Sequence, residues 1–457
     1  MSVVNLHGFR RGHPSIAVPN PLPESATSEW ASRIGSLMAE GVPGIAAAVH
    51  HRGRILWARG FGFADVETRR PVGPGTVVRL DAITTLFTAA AVMVLRDEGA
   101  LGLDDPVTLH VPEFPRTEVT IRHLLCHGSG LQREASLPPN VLPQGEALRA
   151  VLPEVQFPYW PLERWKYSNL GYCVLGEAVE RVSRELLTEF VRSRVVEPLG
   201  MDDVTFDPDT LPRPRLARGY RRAPDRDSVV RDPRAWEPRP DASGQLFGTV
   251  LDLCRVGAFL AGSEVEAVLR RESLEEMRRP ALMVDEGWSR GQGLGPMLVR
   301  AGSEMLVGHV AAEPAFSGWM LVSPGSGVGA AVMANAGQTE ASVLPLVVSM
   351  IEGAAACLPV EPSVPWPPPH PAVEDLLGRY AADGEAMVLA WRGGRLVATG
   401  VSTPGAPEFA DVELEPMGPD TFRFLDGPYC GEPMRAVRDR SGRIDGFHVC
   451  NRSYQRI

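Results

Sequence analysis

Seven prolines fall within residues 359–371 of this chain. No helix or sheet runs through such a stretch, because each proline fixes its φ and lacks a backbone N–H. The chain therefore divides there. Residues 1–358 can build a large core, 359–371 read as a stiff linker, and 372–457 are left for a small second domain. A total of 457 residues also exceeds what one compact core holds.

Periodicity fills in the first segment. Residues 24–40 have a helical pattern with Trp30, Ile34 and Leu37 on one face, ended by Pro43 and Gly44. Two short strands, 45–49 and 55–58, flank a turn at His51-Arg52-Gly53. Residues 83–95 predict a helix that begins behind Asp81 and is closed by Gly99. Alanine and aliphatic side chains occupy its whole circumference, so it is a buried central helix. Further helices are expected at 121–125, 171–187 and 341–356, strands at 293–299 and 305–308, and a hairpin of 316–322 with 327–335. Beyond the linker, strand patterns at 387–391, 395–399, 412–415, 421–424, 434–437 and 446–449 predict a small antiparallel, barrel-like domain.

Composition narrows the partners. With 44% hydrophobic and 22% charged residues the chain is of ordinary globular type, and its net charge of -10 argues against nucleic acid or an anionic membrane. The six cysteines are scattered without Cys-x-x-Cys or Cys/His spacing, so neither a zinc site nor another metal or cofactor is expected. No apolar core of signal length follows Arg10-Arg11, and no apolar run of about 18 residues is read. A cytoplasmic location is the expectation. Lys166 is the one lysine, leaving 46 − 1 = 45 arginines, a bias of the kind a GC-rich coding background gives.

Several blocks together resemble the serine β-lactamase, DD-peptidase and class C-like esterase superfamily. They are Pro43-Gly44-Ile45, Gly60-Phe61-Gly62, Thr88-Ala89, Leu103-Asp104-Asp105-Pro106, Ile121-Arg122-His123-Leu124-Leu125 and Ser129-Gly130-Leu131. Tyr167-Ser168-Asn169-Leu170-Gly171-Tyr172 and Pro198-Leu199-Gly200-Met201 complete the set. Arg379-Tyr380 and Asp439-Arg440-Ser441-Gly442 resemble a lipocalin-like domain appended to many relatives. The resemblance implies an α/β (α+β) fold: an antiparallel sheet flanked by helices, with an all-helical part, followed by the small β-domain.

The chemistry of that superfamily rests on Ser-x-x-Lys at the start of the buried helix, on Tyr-x-Asn, and on a Lys/His-x-Gly strand. Here Ala82 stands where the resemblance expects the serine and Thr85 where it expects the lysine. Losing a serine nucleophile costs about a million-fold, on the order of 8 kcal/mol of barrier. Tyr167 and Asn169 match the second element, and His309-Val310-Ala311 matches the third with a methyl in place of glycine.

The resemblance thus makes Tyr167, Asn169 and His309 catalytic candidates, and Ala82, Thr85, Asp81 and Ala311 substrate-contact candidates. The alternative for each is a packing role. Without a lysine at Thr85, the Tyr167 phenol should stay neutral and donate its proton. Ala311 should narrow the pocket. Asp81 reads as a helix N-cap, with a catalytic carboxylate as the alternative, and Glu313 as a solvated loop carboxylate, with a pocket-facing one as the alternative. Thr84 and Thr85 are possible replacement nucleophiles with no base evident beside them. Lys166 reads as a surface residue, and His123, Cys126 and His127 as structural.

Two functions of different class follow. In the first, the pocket catalyses a non-acylating reaction (cyclisation, isomerisation or elimination) on a small metabolite, as in specialised-metabolite biosynthesis. In the second, the protein is catalytically silent and binds a ligand or partner. A hydrolase with a displaced nucleophile is a third possibility.

Overall fold

The computed structural model describes residues 22–137, 141–222, 228–358, 371–382, 385–392, 394–401, 409–418, 420–450 and 452–457, and the backbone of two short strands, Val3–Asn5 and Ser15–Ala17. The proline-rich segment lies almost wholly outside these residues. The chain forms two compact units, Met1–Leu358 and Pro359–Ile457.

In the larger unit, α1 (Glu24–Ala39) leads into a hairpin of β1 (Gly44–His51) and β2 (Arg54–Asp65). Helix α2 (Thr84–Asp97) follows, and later α3 (Asn169–Ser183). The chain then returns to the sheet through β3 (Arg290–Gln292), β4 (Met297–Ala301), β5 (Glu304–Ala312), β6 (Ser317–Val322) and β7 (Val328–Ala334). It closes with α4 (Glu340–Cys357). The strands run β3-β4-β5-β6-β7-β1-β2 within a ten-stranded sheet, every pair among them antiparallel.

Two cores form because the sheet has two apolar faces. On one face, Trp30 and Ile34 of α1 and Val343, Val347 and Met350 of α4 pack on Val49, Trp57, Trp319 and Val332. By length and composition α4 could cross a membrane, a property the reading of apolar runs did not register; six of its side chains are buried. On the other face lies α2, buried from Thr84 to Leu95. Its Ala89-Ala90-Ala91 run lets neighbouring elements approach closely, and α3 packs against it. Gly99 takes the positive φ (73°) that ends α2.

The boundaries shift where side chains cap or break an element. The Ser168 hydroxyl accepts the Gly171 N–H at 3.0 Å, so α3 starts two residues before the expected 171. It stops at Arg184, whose φ is 63°, and residues 187–191 form a separate short helix. β5 extends four residues past the expected 308, which puts His309 and Ala311 inside the strand.

The smaller unit is a closed antiparallel barrel of eight strands. Six were expected. Gly378–Ala382 and Arg452–Arg456 are additional and seal it, pairing Tyr380 with Arg456 and Ala381 with Gln455. Side chains fill the interior, as a barrel of this strand number allows. Phe447, with no exposed surface, lies between Tyr380 and Tyr454, ring centroids 4.8 Å away on each side. Phe447→Ala is expected to cost this unit about 3–5 kcal/mol. Denaturant unfolding should show an early transition for the barrel and an unmoved one for the larger unit; a single unshifted transition would contradict the packing.

Candidate active site

The start of α2 is a 3-10 turn, Asp81–Ile83, set against β5. Thr85 faces His309 across this contact, Oγ1 to Nε2 at 3.2 Å, and the hydroxyl also donates to Ala82 O at 2.7 Å. His309 Nδ1 is 3.0 Å from Val310 O. Placing the ring proton on Nδ1 satisfies that carbonyl and leaves Nε2 an acceptor that competes with Ala82 O for the single Thr85 proton. Burial pushes the His309 imidazole down to about 4, so it is neutral at pH 7. Thr85 therefore does have a base beside it, contrary to the sequence expectation, because 224 residues of chain separate the two. Thr84 is occupied otherwise: its hydroxyl accepts the Leu246 N–H at 3.2 Å.

Asp81 is not a helix cap. The first turn of α2 has no side-chain cap, and Asp81 itself adopts φ 49°, the left-handed region. Its carboxyl turns toward β5, where Oδ2 accepts the Ala312 N–H at 2.7 Å and the Ala82 amide is a second donor. Glu313 lies within hydrogen-bonding reach of the same carboxyl. Burial, and then the Glu313 charge, push the Asp81 carboxyl up to about 7. Glu313 is likewise no solvated loop carboxylate. It is mostly covered and grips Arg239, with Nε and Nη2 at 3.3 and 3.2 Å from its two oxygens.

The third wall comes from the loop before α3. Tyr167 stacks on His127 (centroids 4.2 Å apart), with the Arg133 guanidinium over its ring at 4.9 Å. Its hydroxyl is buried and has no hydrogen-bond partner among the described residues. Trp165 Nε1 and His127 Nε2 beside it are in the same condition. Burial, then the charge of Asp81, raise the Tyr167 phenol well above its ordinary range, so it is protonated at neutral pH. The expectation of a neutral phenol rested on a missing lysine; enclosure is the larger cause here. Asn169 gives its amide to Glu134 at 2.6 Å and leaves Oδ1 buried without a partner.

His127 Nδ1 accepts the Ser168 N–H at 3.2 Å, which fixes the loop carrying Tyr167. His123 closes a capping box with Thr120, and burial raises the Cys126 thiol to about 11. Lys166 is half-buried, not a free surface residue, and its amide donates to His127 O at 2.9 Å. Ala82 stays partly exposed, whereas Ala311 is fully buried in the core shared with Phe316 and Met320.

The fold thus gathers Asp81, Thr85 and His309, and places Tyr167 within reach of the Asp81 charge. Arg239, Arg79, Trp165 and Glu134 escaped the sequence reading. Only Arg79 left a signal: a lone arginine between Val77, Val78 and Leu80, all buried.

An antiparallel sheet covered on both faces, with a buried helix opening onto a strand, a Tyr-x-Asn loop and a histidine, defines a scaffold of β-lactamase and penicillin-binding-protein type. A family model described as Beta-lactamase matches residues 30–348, and the chain belongs to that family. The model described as domain of unknown function DUF7586 matches residues 369–456, the barrel.

Among curated proteins, the chain is 28% identical over 189 residues to Protein flp of Staphylococcus aureus (strain MW2), covering 39% of this chain and 38% of that protein. It is 31% identical over 158 residues to Penicillin-binding protein 4* of Bacillus subtilis (strain 168), covering 33% and 35%. The matched segments thus span little more than a third of those relatives. Of solved structures, the octameric penicillin-binding protein homologue from Pyrococcus abyssi superposes with a TM-score of 0.64 at 24% identity, covering 94% of this chain and 99% of that one. The D-amino acid amidase of Ochrobactrum anthropi SV3 gives 0.62 at 25%, covering 73% and 99%.

Proposed function

We propose that this protein is a non-acylating catalyst acting on a small-molecule metabolite, with Tyr167 as proton donor and Asn169 and His309 orienting the substrate. The observation that carries this is the Tyr167 hydroxyl: buried, protonated and without a partner among the described residues. A buried donor left unpaired costs about 1–3 kcal/mol, so a substrate that accepts from it recovers that cost on binding. Ala82, at the start of α2, has no hydroxyl with which to form an acyl-enzyme. Cyclisation, isomerisation and elimination can each proceed by proton transfer without a covalent enzyme intermediate. We place such a step in the biosynthesis of a specialised metabolite.

The D-amino acid amidase among the similar structures guides the first probes: D-amino acid amides, β-lactams and small cyclic amides and lactones, followed by mass spectrometry. Tyr167→Phe is expected to lower turnover about 10²–10⁴-fold, the usual range for losing a general acid. A protein that only binds would lose a few-fold in affinity and turn nothing over. Intact mass after a fluorophosphonate and a penicillin should show no adduct.

The Thr85–His309 contact favours a second reading, a hydrolase with a displaced nucleophile. An adduct mapped to Thr85 would establish it and sink the first.

A further inference from the structure

We propose that the cleft between residues 65–70 and 213–218 is a binding site for a small carboxylate with a flat apolar body. None of the residues that line it belongs to the candidate active site. The inference therefore goes beyond the function proposed above and does not depend on it.

The cleft encloses about 290 Å³, and Asp65, Arg70, Arg213, Arg218, Leu216 and Trp236 are among its lining residues. That volume lies near the lower end for small-molecule sites, roughly 300–1,000 Å³. Arg213 is largely exposed and already engaged by Asp209. Asp65 is also occupied, since its Oδ1 accepts the Glu67 and Thr68 amides at 3.0 and 3.2 Å. Its Oδ2 stands 3.6 Å from Arg218 Nε, too far for a hydrogen bond. Arg70 gives one hydrogen bond, from Nη2 to Leu216 O at 2.5 Å. Among the described residues the Arg70 guanidinium makes no other, and the Arg218 guanidinium makes none. A guanidinium carries several N–H donors in a rigid fork, so most of those on Arg70 and Arg218 have no protein acceptor.

The charges select what fits. Arg70 and Arg218 bring two positive charges to the cleft and Asp65 one negative charge, an excess of 2 − 1 = 1. This excess stands out in a chain whose net charge is -10. Arg218 also acts against the charge on Arg70, a repulsion that an anion lying between them would relieve. One carboxylate cancels the excess, and its two oxygens match a guanidinium fork. Trp236 selects the body. It is half-buried and stacked on Phe247, ring centroids 5.0 Å apart and planes 11° apart, which fixes its orientation. The neighbouring Ala235 O accepts from Arg79 Nε at 3.3 Å, so the segment is held from behind. With the buried Leu216 and Ala217, Trp236 gives the cleft an apolar wall suited to a flat ligand.

Fluorine NMR tests the site directly. Protein with 5-fluorotryptophan at all nine tryptophans gives one resonance for Trp236, identified by its loss in Trp236→Phe. Benzoate, 2-naphthoate and indole-3-acetate are titrated in turn, and at least one is expected to shift that resonance saturably. The neutral amide of the same body should bind about tenfold or more weakly, because the charge-assisted contacts are lost. Arg70→Gln and Arg218→Gln should each weaken the acid by about tenfold or more. The Arg218 side chain is 41% exposed, so its variant keeps the test alive if Arg70→Gln fails to fold.

No saturable shift with any of the three acids would overturn the site. So would an amide that binds as well as its acid, or an affinity unchanged in both arginine variants; either would leave only a solvated cationic cleft. Phenyl phosphate binding more tightly than benzoate would overturn the choice of a carboxylate. The readout is binding at Trp236 and uses no turnover, so this inference and the reading of Tyr167 fail separately.

Discussion

Arg79→Ala is expected to destabilise the larger unit by about 3–5 kcal/mol, because it leaves several buried acceptors unpaired, each costing about 1–3 kcal/mol when fully desolvated. Arg79 is 1% exposed. Its guanidinium donates to Glu237 O at 2.7 Å, to Gln245 Oε1 at 3.1 Å, and to Ala235 O and Gly244 O at 3.3 Å. It also lies 4.6 Å from the Phe247 ring centroid. One side chain thus fastens residues 235–247 to the strand that leads into α2. Burial and the like charge of Arg239 lower its pKa to about 10, so it is still a cation at neutral pH. Alanine would leave several buried acceptors unpaired and open a void, while lysine keeps the charge but loses the planar fork. Guanidinium-induced unfolding should place Arg79→Lys between Arg79→Ala and the wild type. A loss under about 1 kcal/mol for Arg79→Ala would mean that loop 235–247 is held by packing alone.

The ease of reading differed along the chain for physical reasons. Helix α2 was legible because apolar residues surround it completely and Gly99 ends it; β1, β2, β6 and β7 were legible from short apolar runs broken at turns. The barrel's closing strand Arg452–Arg456 was not, because Tyr454 is its one buried side chain and the pattern is otherwise polar. In the candidate site, Tyr167, Asn169 and His309 came from resemblance, and local pattern would not have singled them out. The contacts that give Asp81 and Thr85 their surroundings cross 231 and 224 residues. No local periodicity reports a contact of that span. Asp81 ahead of a helix satisfies every sequence rule for an N-cap. The left-handed turn that swings its carboxyl onto the amide of Ala312 depends on β5 being there.

That carboxyl also governs what it would take to give this scaffold acyl chemistry. Ala82→Ser with Thr85→Lys would place a hydroxyl and an amine three residues apart at the start of α2, on one helix face. Acylation at position 82 would also need N–H donors for the oxyanion, and the amides of Ala82 and Ala312 are the ones at hand. Both point at Asp81. Negative charge developing there would have to displace the Asp81 carboxyl from those donors. Losing such donors costs about 10²–10³ in rate. The double variant is therefore expected to react with a fluorophosphonate slowly. Adding Asp81→Gly should speed labelling about 10²-fold, because glycine adopts φ 49° without strain and frees both amides. The measurement is the labelling rate by intact mass, with the modified residue mapped by peptide digestion. A triple variant no faster than the double would mean that the Asp81 carboxyl does not obstruct the site. Labelling of the unmodified protein at Thr85 would show a working hydroxyl already present and reverse the reading of the whole pocket.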